Sequence, residues 1–244
     1  LNSIKLKISR KYHLKKIPTN IEILETLDDS EKKKFKNFIT TKPIRTFSGV
    51  APIAVMAKPF YCPHGKCIFC PGGPDSFFGN VPMSYTGNEP STMRAIRANY
   101  DPYIIVFNRL EQYLLLNQVP EKGEVIIQGG TFPSFPKEYQ EEFVKYIFRA
   151  MNDFSEMFFD KSGEIDFEKF KEFFELPGSI KDISRTDNIH KKILALKKPC
   201  LLKEEQLKNE NAKIRCIGLT IETKPDWGKL SHGNELLELG CTRI

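Results

Sequence analysis

The sequence predicts an α/β fold in which parallel strands alternate with helices. Three observations carry this expectation. Short apolar runs bounded by Gly and Pro recur at three places, and stretches of helical periodicity fill the intervals between them. Each apolar run is then closed by a polar or glycine-rich motif. Alternation of this kind implies a parallel sheet with right-handed crossovers. An open doubly wound sheet and a (β/α) barrel of the TIM type both satisfy it.

Residues 49–59, GVAPIAVMAKP, are a short apolar run between breakers, the pattern of a buried strand. A cysteine-rich turn follows at once. Residues 93–117 read as helix, interrupted near Pro102 because proline lacks the donor a helix interior needs. GEVIIQGG, residues 123–130, is a second strand ending on a Gly-Gly turn, and residues 135–154 form an amphipathic helix opened by Pro136. Residues 155–211 are first phenylalanine-rich and then rich in Lys and Glu, with a break at Pro177-Gly178. They are expected to be a mainly helical insertion. Residues 213–226 give a third strand, residues 231–240 a third helix, and CTRI at the end the opening of a fourth strand. The sequence starts at Leu1 and stops inside that strand, and a whole barrel needs eight strand–helix units over ~250 residues. A truncated, partial barrel is therefore expected.

The motifs CPHGKCIFC, QGGT and IETKPD each lie directly after one of the three strands. Loops after parallel strands share one face of the fold, and that face carries the chemistry. The three motifs are thus expected to meet around one site.

The 244 residues are 40% hydrophobic and 28% charged, with no apolar run near the ~18 residues that would span a membrane. The basic N-terminus has no continuous apolar stretch of the secretory kind. Six cysteines are too few for a disulfide scaffold in a chain of this length, and clustered thiols suit a reduced compartment, so a cytoplasmic location is expected. Residues 1–46 hold twelve Lys/Arg against five Asp/Glu, a net charge of +7, while the whole chain carries +6. The excess positive charge therefore lies in this N-terminal segment, expected to be a separate, mainly helical arm. Lys32, Lys33 and Lys34 are its candidate phosphate contacts, since neutralising a polyanion releases counterions. A solvated helix face is the alternative.

Cys62, Cys67 and Cys70 stand at spacing C-x4-C-x2-C. A closed zinc site takes four ligands, and His64 inside the cluster would complete a Cys3His set. Three thiolates equally suit a [4Fe–4S] cluster whose fourth iron stays open to an external ligand. Spacing alone leaves both open.

CPHGKCIFCPGGP, SYTGNEPSTMRAIRANYDPY, QGGTFPSFPKEYQ and GLTIETKPD, in this order, resemble the catalytic subunit of Elongator in its archaeal form. The likeness runs from about residue 42 to 244, loosely through 155–211. It implies a radical S-adenosylmethionine enzyme that modifies wobble uridine 34 of tRNA. It further implies a TIM-type radical domain, here residues 47–244, followed by an acetyltransferase-like domain that would lie beyond Ile244. In the reaction so implied, a deoxyadenosyl radical takes hydrogen from the methyl group of acetyl-CoA. The resulting carbon radical adds to C5 of uridine, and thioester hydrolysis leaves carboxymethyluridine.

By the same resemblance Cys62, Cys67 and Cys70 match the cluster ligands. Gln128, Gly129 and Gly130, with Thr131, match the turn that receives the methionine amino group. Glu222, Thr223, Lys224 and Asp226 match a string near the cofactor, and Lys122 matches a lysine associated with acetyl-CoA. Arg94 and Arg97, one helical turn apart, match a segment on the substrate side and suit phosphate or carboxylate. Asn88 and Asn99 depart from the family pattern there. The partners the resemblance implies are tRNA, acetyl-CoA and, as a homodimer, a second copy of the chain, without need of other Elongator subunits. A zinc-knuckle module that binds nucleic acid without chemistry is the competing reading.

Overall fold

The computed structural model describes residues 1–40, 46, 48–178 and 182–244. Its centre is a three-stranded parallel sheet of β1 (Val50–Met56), β2 (Lys122–Gln128) and β3 (Arg215–Ile221), in that order. Val50 pairs with Lys122 at one end and Met56 with Gln128 at the other, while Ile127 pairs with Ile221. All three strands therefore end at the same edge, as the motif positions predict. A bulge beside Gly123 keeps Leu219 and Ile221 in step with Val125 and Ile127. Past β3, Arg243 bridges Thr220 in parallel, so the predicted fourth strand begins beside the third.

Burial alternates along the strands. Ala51, Ile53, Val55, Val125, Ile127, Leu219 and Ile221 are buried, whereas Pro52, Ala54, Glu124, Ile126 and Thr220 are half-buried. A parallel sheet covered on both faces would read as continuously apolar, so this one is packed by helices on a single face. The covering helices are α4 (Pro90–Arg97), α5 (Pro102–Leu115) and α6 (Lys137–Phe158). Asn99 and Tyr100, both at positive φ, turn the chain between α4 and α5. Asp101 then caps α5 by accepting from the N–H of Tyr103 at 2.9 Å, with Pro102 in the first turn. Tyr103, Phe107, Leu110 and Tyr113 form its buried stripe.

The helical segment after the second crossover begins later than its composition suggested, because α6 continues to Phe158. It contains α7 (Phe167–Phe173), α8 (Ile183–Leu196) and α9 (Leu202–Asn209). It is part of the core rather than an appendage. Phe154, Phe158, Phe170 and Phe174 stack within 4.7–6.3 Å of one another. Arg149 on α6 joins Asp153 at 2.7 Å to Glu205 of α9 at 2.8 Å, and Asn152 adds 2.7 Å to the same carboxylate. The chain closes with α10 (Gly233–Glu238).

The N-terminal segment is helical as expected: α1 (Asn2–Lys11), α2 (Asn20–Thr26) and α3 (Asp29–Ile39). Thr19 and Glu22 form a capping box at α2. The lysine run does not all face solvent, however. Lys32 is 4% exposed, with its ammonium 4.1 Å from the centre of the Phe167 ring. It is a packing cation that fastens α3 to α7, because an ammonium against an aromatic face is stabilised when desolvated. Lys34 is exposed; the side chain of Lys33 lies outside the described residues. No helix among the described residues is long and apolar enough to cross a membrane.

A cysteine-lined candidate active site

The loop after β1 carries the three cysteines and folds back over the strand ends. Two tight turns shape it: Gly65 N–H donates to the Cys62 carbonyl at 3.0 Å, and Cys70 N–H to the Cys67 carbonyl at 2.9 Å. Gly65 sits at φ +78°, where glycine avoids the penalty a side chain would bring. Cys62 and Cys70 are buried against Met83, and Cys67 packs beside them.

The three thiols line one cavity of about 320 Å³, together with residues of the loops after β2 and β3. The predicted meeting of the three motifs is therefore present. Each thiol has polar neighbours, and Cys70 Sγ also donates to the Gly72 carbonyl at 3.2 Å. Thr131 Oγ1 donates to Cys62 Sγ at 3.2 Å, and the N–H of Ser84 donates to Cys70 Sγ at 3.1 Å. The His64 ring lies with Nε2 3.3 Å from Cys67 Sγ. Ser84 holds φ at +73°, an uncommon conformation for a residue with a side chain, and that conformation aims its N–H at the sulfur. Among the described residues no group of three or more His, Cys, Asp or Glu converges closely enough to hold a single metal ion.

The glycine turn after β2 gives the wall its depth. Gly129 and Gly130 have φ of +121° and +91°. A Cβ on Gly130 would stand 3.1 Å from Met83 Cβ and 3.6 Å from Cys62 Sγ. The turn thus needs glycine for its backbone, and at Gly130 also for the close approach to Met83.

The loop after β3 supplies charge. Glu222 accepts from Tyr85 Oη at 2.7 Å on one carboxylate oxygen and from Gln128 Nε2 at 3.0 Å on the other. Burial, and then the bond to this carboxylate, push the Tyr85 phenol far above its usual range. It remains a donor. Lys224 pairs with Asp226 at 2.6 Å. That bond, opposed by some burial, holds the ammonium above its ordinary value, helped by the fields of Cys67 and Cys62. Gln128 Oε1 and Thr223 Oγ1 are buried without a hydrogen-bond partner.

Not every predicted residue comes to this cavity. Lys122 opens β2, ~20 Å along a seven-residue strand from Gln128, at the end away from the cavity. Arg94 and Arg97 line a separate cleft between α4, α5 and α8, beside Arg185 and His190. Arg185 there bonds Glu111 at 3.1 Å, and burial lifts that carboxyl to about 7 against the pull of the guanidinium. Conversely, sequence reasoning did not single out Phe69, Met83, Ser84 or Tyr85 as lining the cavity. Phe69 was visible as the aromatic residue before the third cysteine, and its ring is 82% exposed at the cavity rim. The others come from a long loop with no local signal of direction.

The first 47 residues match the family model described as the ELP3 N-terminal domain. The whole chain is 36% identical over 249 residues to "Elongator complex protein 3" of Saccharomyces cerevisiae, covering 37% of that protein. Over 227 residues, 93% of this chain and 34% of the relative, it is 40% identical to "tRNA uridine(34) acetyltransferase" of Methanocaldococcus infernus. Among solved structures, the archaeal M. infernus Elp3 with residues 1–46 deleted aligns over 80% of this chain and 28% of its own, at 26% identity and a TM-score of 0.46. The chain spans about a third of the length of the curated relatives it matches.

Proposed function

This chain belongs to the family of Elongator complex protein 3, and on that premise we propose that it forms the cluster-binding part of an enzyme that modifies wobble uridine 34 of tRNA. The observation that carries the reading is three thiols lining one cavity at the common ends of three parallel strands.

A [4Fe–4S] group fits these residues. Its three protein-bound irons would take one thiolate each, and Cys62, Cys67 and Cys70 line the same cavity. Gly130 brings the backbone of this turn to the Cys62 side of the cavity, where a Cβ would press on Met83 at 3.1 Å. Held by Cys62, Cys67 and Cys70, such a cluster would supply the one-electron reduction that S-adenosylmethionine chemistry requires.

The chain's own residues then bind and orient. Tyr85 and Gln128 fix Glu222 from two sides, orienting its side-chain oxygens as acceptors for the ammonium or hydroxyls of the cofactor. The unpartnered Gln128 Oε1 and Thr223 Oγ1 are further polar atoms for that ligand. Phe69 offers its exposed ring for stacking on a nucleoside base. Lys224, paired with Asp226, contributes a cation suited to a carboxylate.

Helices on a single face, strand order 1-2-3 and a fourth strand begun beside β3 favour a barrel wall over a doubly wound sheet. The part described would be that wall's first three units. tRNA as substrate rests on the named activity of the archaeal relative and on the basic N-terminal helices. Acetyl-CoA as co-substrate rests on the family alone. Lys122 would meet it only outside the cysteine cavity.

The test is a product assay on the full-length enzyme, reconstituted anaerobically with iron and sulfide. Given tRNA, S-adenosylmethionine, acetyl-CoA and a low-potential reductant, it should yield 5-carboxymethyluridine at position 34, read by nucleoside mass spectrometry. The Cys67→Ala variant should yield none. A fully loaded wild-type enzyme that leaves uridine 34 unmodified contradicts the proposal.

A further inference from the structure

We infer that Thr131 sets the reduction potential of the site by hydrogen-bonding the Cys62 thiolate. This rests on the reading that Cys62, Cys67 and Cys70 hold an iron–sulfur cluster.

Thr131 stands at the N-cap of a short 3-10 turn, residues Phe132–Ser134, where a threonine hydroxyl ordinarily accepts from the backbone. It makes no such cap bond. Instead its Oγ1 donates to Cys62 Sγ at 3.2 Å, and the residue is 2% exposed. The glycine turn before it, at positive φ twice over, brings the strand end close enough for this contact.

The other two thiols are served differently. Cys70 takes the Ser84 backbone N–H, and Cys67 has the exposed His64 ring. Thr131 is thus the buried side-chain donor of the set, shielded from water that would replace it.

A donor to a metal-bound thiolate stabilises the state with more negative charge on sulfur. Addition of one electron from a low-potential donor raises that charge, so the bond favours the reduced form and raises the potential. No bond is made or broken in the step. The hydroxyl proton stays on Oγ1.

The test is a potentiometric titration followed by electron paramagnetic resonance on the full-length, anaerobically reconstituted enzyme. Thr131→Val removes the hydroxyl at nearly constant shape, and Thr131→Ser restores it. We expect unchanged iron content, a lower midpoint in Thr131→Val, and the wild-type midpoint in Thr131→Ser. Should valine crowd Cys62 and prevent loading, Thr131→Ala provides the same deletion with less volume. Loaded Val or Ala variants that titrate at the wild-type midpoint overturn the inference. A wild-type protein that takes up no iron–sulfur cluster overturns instead the reading on which it rests.

Discussion

Glu89 shows how single residues fix the loop that walls the site. Its carboxylate accepts from the N–H and hydroxyl of Thr86 at 2.9 and 2.8 Å, from Gly87 N–H at 3.1 Å and from Thr92 Oγ1 at 3.1 Å. Burial opposes ionisation, yet these bonds together hold the carboxyl down to about 2. A folded-state value below the ordinary 4.5 means that the unfolded chain binds the proton first as pH falls. The stabilisation is therefore full above about 4.5 and is lost between about 4.5 and 2. Glu89→Gln should cost about 1–2 kcal/mol at neutral pH, because a neutral amide accepts these donors less strongly and through one oxygen. It should also flatten the fall of the urea midpoint across that acid window. A variant with the wild-type slope there would show that Glu89 is not the group responsible.

At the scale of elements, the cysteine loop is defined by how closely it folds on the segment 81–85. A Cβ on Gly72 would lie 1.6 Å from the Tyr85 carbonyl oxygen and 2.9 Å from Val81 Cγ2. A Cβ on Gly65 would meet nothing within 4 Å. Gly65→Ala should therefore cost only the left-handed backbone strain, about 1 kcal/mol. Gly72→Ala should drive the two segments apart and, on our account, abolish iron uptake during anaerobic reconstitution. Equal iron content in both variants would contradict the packing described. The strands, their common edge and the break before Pro102 were legible because apolar runs and breakers are local signals. The contributions of Ser84 and Tyr85 were not, since they depend on where a long loop returns. The helical insertion was legible by composition, but its union with the core through Phe158, Phe170 and Phe174 appears only in three dimensions.

At the scale of the whole molecule, charge and packing divide the N-terminal lysines. A run of three lysines reads as a uniform cationic face, yet α3 turns Lys32 inward onto Phe167 and leaves Lys34 outward. Which lysine is buried depends on a partner more than a hundred residues away, so the run alone could not say. Lys7, Lys11 and Lys15 are exposed on and after α1. Replacing these three by Ala should weaken tRNA binding and reduce the slope of log affinity against log salt by up to ~2–3. Lys32→Ala should instead lower the melting temperature and leave that slope unchanged. The opposite pattern would move the polyanion surface from α1 to α3.

Everything proposed for the site depends on the three thiols holding a cluster of several irons. Metal and acid-labile sulfide analysis with Mössbauer spectroscopy of the anaerobically reconstituted full-length protein tests it most directly. About four irons and four sulfides per chain are expected, lost together in Cys62→Ala, Cys67→Ala or Cys70→Ala. One tetrahedral zinc per chain, with no sulfide, would contradict it.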